Sequence, residues 1–530
     1  MTRLHLPRRA LLTGAALAAT RPAYAQRRDP RVLKFIPAVG LTVLDPIWTA
    51  SLVTLNHAYH VYDTLYGIGQ DLSPRPQMVA GHTVSDDGRT WSFKLRENLW
   101  FHDGTPVLAR DAAASMRRWW KRDSFGQLVA ALADSLEAAD DRTIRLTLKK
   151  PFPHLLDALA RVGALTCFVM PERFANTDPY TPVKDATGSG PYRFLPSEFN
   201  AGGFVAYSKF DRYVPRSEPA ERIAGGKVAH FERIEWHTVP DASTAAAAMQ
   251  NGEMDWWESV PTDLQELLVK SKDVALQAKD PYNWYGIARF NLTQAPFNNL
   301  KLRRAVLAAV NQEDYMRAAF GDTSEGVWRT CRAMMPCGVK DVTELGAADM
   351  PGLDVEAARK AVAASGYNGE RTVVMAPMDY PQLGAFGHVT ADLFRRIGIN
   401  VDFQPMDWGT MIQRTANRES VEKGGWSMFH TSGSMISMTN PALNMYIRGQ
   451  GQKGWVGWYD KPEVETIAQE WLDTKPDEPQ RDRFDRLQRI LFADPPLLPL
   501  GQYTVFTARR RDITGILDGS ASYPWNIRRT

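Results

Sequence analysis

Apolar and polar positions alternate in the first third of the chain in a way typical of short strands. Thr90–Arg96 and Arg142–Lys149 each place an apolar side chain at every second position, and a period of two residues predicts a half-buried strand. Val32–Ile36 is predicted to be a further strand. A turn at Asp87-Gly88 precedes one of these strands, and a helix is expected to begin near Ala109. This region is therefore predicted to be α+β, with antiparallel hairpins rather than βαβ repeats.

The pattern changes after about residue 287 to alternating helices and strands. Leu300–Phe320 carries apolar residues at helical spacing and predicts one long helix with a buried stripe. Asp354 can cap a helix that ends at Gly366, a plausible position for a C-terminal glycine. This alternation predicts an α/β lobe, and the last strand is expected to return to the first part of the chain. The remaining predicted elements are strands at Arg371–Ala376, Asn400–Gln404 and Tyr503–Thr507 and a helix at Thr390–Ile397.

The first 25 residues have the composition of an export signal. They contain four arginines and no acid, then an apolar run from Ala10 to Ala19, then Ala23-Tyr24-Ala25. The run is too short to span a membrane, which needs roughly 20 helical residues. Arg8-Arg9 favours the twin-arginine route over the general secretory route and leaves both open. Cleavage is predicted between Ala25 and Gln26, and the absence of a cysteine after that bond favours an unanchored periplasmic protein.

Removal of this segment changes the charge balance. The chain has 63 basic and 60 acidic residues, so loss of four arginines leaves 59 against 60 and a net charge of −1. No basic block remains to suggest a nucleic-acid partner. About 500 residues exceed a single hydrophobic core, so two or three domains are expected. Of the three cysteines, Cys331 and Cys337 lie six residues apart and can pair in an oxidising compartment, whereas Cys167 lies in an apolar run and is expected to be buried.

No catalytic set can be assembled from the motifs. Ser189 lies between two glycines but fails the G-x-S-x-G pattern because residue 187 is threonine. His102 lies in a turn and is expected to make a local hydrogen bond rather than to bind a metal. The chain is therefore predicted not to be an enzyme, and neither a metal nor a cofactor is predicted.

Several stretches in order resemble the family 5 extracellular solute-binding proteins, the peptide/nickel-type binding proteins of ABC importers. The most specific is the run SDDGRTWSFKLRENLWFHDGTPVLARD from Ser85 to Asp111. The similarity extends over nearly the whole chain after the export signal. The other stretches are Leu44-Asp45-Pro46, Val61–Tyr66, Thr187–Tyr192, Asn251–Asp255, Phe290–Gly321, Asp354–Tyr367, Phe394–Val401 and Phe492–Leu500.

This resemblance implies an α/β fold of the periplasmic-binding-protein type, with two lobes joined by a hinge and an extra α+β subdomain in lobe 1. The two chain crossings are expected near Tyr285–Asn291 and Gln502–Phe506, and lobe closure over a ligand would need only a few backbone rotations there. The implied boundaries are 1–25 for the signal peptide, 26–60, 186–285 and 503–530 for lobe 1, 61–185 for the subdomain, and 286–502 for lobe 2.

The resemblance also places ligand contacts in lobe 2, where this sequence departs from the peptide-binding members. Those members use an arginine for the ligand carboxylate and an aspartate for its amino group. The arginine position falls near Asp379 and Tyr380, and the aspartate position near Ser437. Because neither expected charge is present, dipeptide binding is in doubt. One hypothesis is a less zwitterionic ligand with an apolar or cationic part and Asp379 as its counter-charge; the alternative is that Asp379 is a solvated loop residue.

Aromatic and loop residues near the expected cleft complete the set of candidate ligand-binding residues. Ser434 and Met435 lie in the implied ligand loop, which Trp426 and Phe429 precede. Trp48 follows Leu44-Asp45-Pro46, where lobe 1 loops are expected to approach the cleft. Trp408 begins a lobe 2 helix and is expected to be structural. The last two candidates, beside the first crossing, are Trp284 and Tyr285.

The predicted function is capture of a small ligand, either a peptide, a peptide-like compound or another organic solute, for an ABC permease and its ATPase. A monomer is expected. A nickel complex, haem or a cationic organic solute is the alternative cargo, and delivery to a sensor is indistinguishable by sequence. An alternative of a different class is a periplasmic hydrolase, which would need the nucleophile and base that no motif supplies.

Overall fold

The computed structural model describes residues 29–163, 165–281, 283–322, 326–352, 354–476 and 478–530. The predicted signal peptide and its cleavage site lie outside the described residues. Within the described ranges, no helix combines the length and the apolar character that a membrane span requires.

Strands and helices alternate along the described chain. The strands are β1 (Val32–Ile36), β2 (Asp63–Thr64), β3 (Tyr66–Ile68), β4 (Pro74–Pro76), β5 (Val79–Val84), β6 (Thr90–Leu95), β7 (Ala133–Ala138), β8 (Thr143–Leu148), β9 (Phe168–Val169), β10 (Tyr192–Phe194), β11 (Phe204–Lys209), β12 (Arg233–His237), β13 (Trp256–Trp257), β14 (Val274–Ala278), β15 (Trp284–Phe290), β16 (Trp328–Arg329), β17 (Thr372–Pro377), β18 (Val401–Met406), β19 (Met428–Ser434), β20 (Leu497–Tyr503), β21 (Phe506–Arg510), β22 (Ile513–Thr514) and β23 (Arg528–Arg529). The α-helices are α1 (Leu52–Val61), α2 (Ala109–Trp120), α3 (Ser124–Leu132), α4 (Leu155–Leu159), α5 (Glu172–Ala175), α6 (Ala242–Gln250), α7 (Thr262–Val269), α8 (Leu300–Ala309), α9 (Gln312–Phe320), α10 (Val355–Ala364), α11 (Pro381–Arg396), α12 (Trp408–Thr415), α13 (Pro462–Leu472) and α14 (Arg481–Ala493).

A seven-stranded sheet is built from both ends of the chain, in the order β10-β11-β12-β1-β13-β21-β14. Strand β1 runs parallel to β12 and β13, whereas β21 runs antiparallel to β13 and β14. The sheet is apolar on both faces. Phe35 packs against Trp236 and Trp256 on one face, and Ile36 joins the α6 and α7 side chains on the other. We call this the first sheet.

The predicted hairpin region forms a separate antiparallel sheet of four strands, β5-β6-β8-β7. The alternation in Thr90–Arg96 faces Trp91, Phe93 and Leu95 into the same core that receives α2, which confirms the predicted strand and the helix that begins at Ala109. His102 is hydrogen-bonded to the backbone at Gly188 and Gly190, so the expectation of a local bond within its turn is wrong: the partners lie on a segment 86 and 88 residues further along the chain.

The later part of the chain forms a six-stranded sheet in the order β16-β20-β15-β19-β17-β18, and we call it the second sheet. Strands β17, β18 and β19 are parallel to one another, and β15 is antiparallel to β19 and to β20. Helices α9 and α11 cover one face, and Trp426, Phe429 and Trp458 pack on the other. The helices between the parallel strands confirm the predicted α/β character.

The chain passes between the two sheets twice. It leaves β14 of the first sheet at Ala278 and enters β15 of the second at Trp284, so the first crossing precedes its expected place at Tyr285–Asn291, which is mostly strand β15. It returns from β20 to β21 through Thr504 and Val505, within the range expected for the second crossing. The backbone N–H of Lys279 donates to the Val505 carbonyl at 2.8 Å, which ties the two crossings together. Asn283 has a φ of 65° and therefore lies in the left-handed region. The lobe and subdomain boundaries given above remain a prediction.

Three predicted elements differ from the structure in extent. The helix expected over Leu300–Phe320 is two helices, because Val310 has a ψ of 121° and the Asn311 side chain accepts a hydrogen bond from the Glu313 N–H and starts a new helix. The helix expected from Thr390 begins at Pro381, which suits a first helical position. The strand expected over Tyr503–Thr507 is the end of β20 and the start of β21, since the chain changes sheet between them.

Cys331 and Cys337 form a disulfide, and Cys167 is a buried free thiol, as expected. The bonded loop is held against the second sheet from several sides. The Gln312 side chain bonds to both backbone groups of Cys331, and Gln502 Nε2 donates to the Cys337 carbonyl. Burial raises the pKa of the Cys167 thiol far above its usual range, so this side chain is an inert part of the core.

Candidate ligand-binding cleft

Polar and aromatic side chains lie at one edge of the second sheet, where several of its strands begin or end. Strands β17, β18 and β19 are parallel, so their carboxyl ends meet at this edge and lead into Asp379, Trp408 and Ser434. Strand β15 is antiparallel to β19 and therefore begins at the same edge with Trp284. In open α/β sheets, ligands bind outside the carboxyl ends of parallel strands. We call this edge the lobe 2 edge.

The matching edge of the first sheet centres on Glu258, which follows the carboxyl end of β13. Its side chain is 1% exposed, and Lys279 Nζ lies 2.6 Å from its Oε1. Ala38, Asn56 and Ser522 donate further hydrogen bonds to its two oxygens. Burial raises the pKa of Glu258, but the Lys279 ammonium and these donors outweigh it and hold the pKa below its usual range. The first-sheet edge therefore presents a neutralised ion pair.

The two edges face each other across the chain crossings. The Met435 N–H donates to the Asn283 carbonyl at 3.1 Å, so the loop after β19 is fixed to the first crossing. Tyr380, which follows β17, lies close enough to Glu258 for its charge to act on the phenol. Burial raises the pKa of Tyr380 to about 12, and the negative charges of Asp379 and Glu258 contribute to the increase. A cleft between the lobes at this place is therefore supported by position and by electrostatics.

Asp379, Tyr380 and Trp408 form one group at the lobe 2 edge. Asp379 Oδ1 accepts a hydrogen bond from the Trp408 N–H at 2.9 Å, and its residue is exposed. The Tyr380 and Trp408 rings contact each other edge to face, with centroids 5.3 Å apart. Met378 adjoins them and is 43% exposed. Because Trp408 contacts Tyr380 and is positioned by Asp379, it belongs to this group, although it was expected only to be structural.

Trp284 and Ser434 lie directly opposite each other on neighbouring strands of the same edge. The Trp284 indole Nε1 and the Ser434 hydroxyl are both buried, and neither has a hydrogen-bond partner among the described residues. Ser437 Oγ, by contrast, donates to the Ser434 carbonyl at 2.7 Å. Buried donors without partners are costly, so the first two side chains are suited to a bound acceptor.

Four candidate residues are buried away from this edge, which corrects their expected place on the cleft wall. Tyr285 is fully buried because it points to the opposite face from Trp284, and its hydroxyl donates to the Ala333 carbonyl. Trp426 and Phe429 pack on each other in the core behind β17. Met435 is 2% exposed, and its sulfur contacts Gln502 Nε2 at 2.7 Å. These residues support the cleft from behind.

Trp48 belongs to a loop that joins lobe 1 to the predicted subdomain. Its Nε1 donates to the Tyr180 carbonyl at 3.0 Å. The loop is fixed by Asp45, whose buried carboxylate accepts from the Ile47 N–H and pairs with Arg118 at 2.7 Å. The Leu44-Asp45-Pro46 motif is therefore structural, and within the described part of the chain no contact places Trp48 with the Asp379 group.

Sequence reasoning missed Glu258 and Lys279. Both are charged residues at strand ends beside a crossing, and Glu258 follows the Asn251–Asp255 motif within a few positions. A charged residue immediately after the apolar pair Trp256-Trp257 is a usable signal for a strand end. The pairing of Glu258 with Lys279 has no such signal, because 21 residues separate the two in the sequence.

Three acidic side chains that line a surface hollow away from the cleft are paired with basic residues. A surface hollow of about 570 Å³ lies against α13 and is lined in part by Glu465, Glu470 and Asp473. Their carboxylates pair with Arg448, Arg486 and Lys150, respectively. Within the described ranges, no three His, Cys, Asp or Glu side chains are grouped so as to hold a metal ion.

Comparison with known proteins gives consistent matches over the chain. The model of the bacterial extracellular solute-binding proteins, family 5, middle region, matches residues 73–455. A probable peptide ABC transporter periplasmic-binding protein, y4tO of Sinorhizobium fredii, is 34% identical over 492 residues, which cover 92% of each chain. The glutathione-binding protein GsiB of Escherichia coli K12 is 26% identical over 498 residues, or 91% of each chain.

The fold is similar to that of solved binding proteins. A dipeptide-binding protein of Pseudoalteromonas sp. SM9913, in complex with Met-Leu, superposes with a TM-score of 0.79. The match covers 94% of this chain and 100% of that one at 20% sequence identity. At this identity the superposition establishes the two-lobed α/β fold alone. The identity of the ligand has to be inferred from the residues of this cleft.

Proposed function

The chain belongs to the family 5 bacterial extracellular solute-binding proteins, and from this membership we propose that it captures a small organic solute between its two lobes for an ABC importer. The family consists of binding proteins rather than enzymes. The cargo named for the relatives is a peptide or glutathione, and the proposal includes peptide-like compounds among the organic solutes of this chain.

The observation that carries this proposal is the pair of facing sheet edges. Parallel strands end at each edge, and the chain passes between the two sheets through short crossings after β14 and after β20. The lobe 2 edge holds two buried donors that have no partner among the described residues. A solute in this space would contact both lobes and would be withdrawn from water on closure, which strengthens each polar contact.

We further propose the setting in which this occurs. The Arg8-Arg9 segment directs the chain out of the cytoplasm, cleavage after Ala25 releases it, and it works as a monomer in the periplasm. A membrane permease with its ATPase then receives the solute. The disulfide between Cys331 and Cys337 fits an oxidising compartment.

Binding coupled to closure tests the proposal. The protein is unfolded and refolded to remove retained solute, then incubated with pools of dipeptides, amino-acid derivatives and organic amines. At least one pool is expected to raise the melting temperature, because a ligand specific for the native state stabilises it, and to decrease the radius of gyration in small-angle X-ray scattering. Mass spectrometry of the released compound is expected to return it unchanged.

Two results would contradict the proposal. If no pool changes the melting temperature or the radius of gyration, the cleft does not close on a solute of this kind. If a compound is consumed and a product is recovered, the hydrolase alternative is correct instead.

A further inference from the structure

The charges of the cleft are distributed unequally between the two lobes. On the first-sheet edge, Glu258 and Lys279 neutralise each other at 2.6 Å. On the lobe 2 edge, Asp379 uses one oxygen to accept the Trp408 N–H, and its second oxygen has no partner among the described residues. The cleft therefore has an excess negative charge at Asp379.

Arg329, an arginine on another strand of the same sheet, is too distant to neutralise this charge. Arg329 lies on β16, four strands from β17 in the sheet order. At about 4.8 Å per strand, the separation is about 19 Å. Its guanidinium also donates to the Cys337 carbonyl, so it is directed to the disulfide loop.

Aromatic faces next to Asp379 add a second feature that suits a cation. The Tyr380 and Trp408 rings meet at 62° with centroids 5.3 Å apart, and both are partly exposed. An aromatic ring attracts a positive group over its face, and tryptophan does so most strongly. A carboxylate beside two such rings favours a guanidinium or an alkylammonium group over a neutral one.

A third feature indicates what else the solute carries. Ser434 is 8% exposed, and its hydroxyl and the Trp284 indole N–H have no partner among the described residues. They lie one and two strands from β17, so about 5–10 Å separates them from the Asp379 group. Both groups can donate to an oxygen atom, and a carbonyl or carboxylate at that distance would satisfy them.

We propose that the solute is an organic cation whose charged group lies between Asp379 and the Tyr380–Trp408 pair. An oxygen atom of the same solute accepts hydrogen bonds from Trp284 and Ser434. This inference rests on the proposed function. Asp379 supplies the counter-charge and Trp408 the aromatic face. The acceptor end fixes the orientation of the solute in the cleft.

Matched probe pairs test this proposal by calorimetry on the ligand-free protein. The first pair is 4-(trimethylammonio)butanamide and 5,5-dimethylhexanamide, which differ only in a charged nitrogen or a carbon atom. The second is Nα-acetylarginine amide and Nα-acetylcitrulline amide. We expect at least one cation to bind at least about tenfold more tightly than its neutral partner, and more tightly than Ala-Ala or glutamate.

Variants assign the effect to the site. Asp379→Asn keeps the acceptor for the Trp408 N–H and removes the charge, so it should weaken cation binding about tenfold and leave the neutral probes unchanged. Trp408→Leu should weaken both cations. Asp392→Asn is the matched control, because Asp392 is exposed on α11 about 18 Å along the helix from Tyr380 and carries the same charge.

The outcomes separate this proposal from the proposed function. Equal binding of charged and neutral probes, unchanged cation binding by Asp379→Asn, or no binding of any cation overturns the cationic solute. If a dipeptide or an anion instead closes the lobes in scattering, the binding function stands and only the solute class is wrong. If nothing closes the lobes, both fail.

Discussion

At the scale of single residues, burial decides the chemistry of several histidines. His57, on α1, is fully buried, and its Nδ1 lies 2.9 Å from the Tyr207 hydroxyl. Its ring also meets the Phe194 ring edge to face. Burial, with a smaller contribution from the neighbouring His60, lowers the pKa of His57 to about 3. The folded protein therefore keeps this ring neutral at pH values where the unfolded chain protonates it.

This difference predicts a pH dependence of stability. Between the usual pKa of 6.5 and about 3, the unfolded state binds more protons, so the free energy of unfolding falls as the pH falls through that window. His57→Phe keeps an aromatic ring and removes the titration. Its slope of unfolding free energy against pH should be smaller by up to about 1.4 kcal/mol per pH unit. Urea unfolding at about pH 7 and about pH 5 measures this.

The exposed His388 provides the control, since His388→Gln should leave the slope unchanged. An unaltered slope in His57→Phe would show that folding does not lower the pKa of His57.

At the scale of secondary-structure elements, side chains at helix ends decide where the chain turns. The apolar residues of Leu300–Phe320 lie at helical spacing on both sides of Asn311, and this spacing predicted one helix. The Asn311 side chain instead accepts a hydrogen bond from the backbone N–H of Glu313, and α9 starts there as a separate helix. Helix α9 packs against strand β20 of the second sheet and against the neighbouring helix α11.

Removal of the Asn311 cap should destabilise helix α9 by the amount that is typical of a lost N-cap. Asn311→Ala should lower the free energy of unfolding by about 1 kcal/mol, because the first turn of α9 loses a bonded N–H. Asn311→Asp retains the acceptor and should be close to the wild type. Chemical denaturation of the three proteins provides the comparison, and equal losses in both variants would exclude capping as the cause.

At the scale of the whole molecule, the predicted subdomain contacts lobe 2 far from the crossings. His154 stacks on Trp471 with ring centroids 4.0 Å apart and lies 2.8 Å from the Thr474 carbonyl through its Nε2. Lys150 and Asp473 form an ion pair beside this contact, with both side chains about half exposed. On the proposed lobe boundaries, these contacts connect the two lobes, so we expect them to favour closure.

The buried stack and the exposed ion pair should contribute differently to that closure. Trp471→Ala should weaken binding of the solute found in the pool experiment by roughly threefold to tenfold, because the closed state loses an aromatic contact. Asp473→Asn should change it by less than about threefold, since exposed ion pairs contribute little. Calorimetry measures the affinities, and scattering of the bound state follows closure. An affinity of Trp471→Ala equal to the wild type would show that this contact does not depend on closure.

Much of the local structure follows from the sequence alone, because it depends on short-range periodicity. The alternation in Thr90–Arg96 and the cap at Asp354 identify their strand and helix without tertiary information. The motif order that resembles the binding-protein family is also a property of the sequence, and the family match confirms it.

The composition of the cleft was decided only by tertiary structure. Trp284 and Tyr285 are neighbours in sequence, yet the strand pleat places one at the edge and the other in the core. The charge of Glu258 is balanced because Lys279 reaches it across two strand ends, whereas Asp379 has no cationic partner among the residues that the structure describes. Sequence determines which groups are available to a solute-binding protein. Packing over long sequence separations determines which of them remain free to bind the solute.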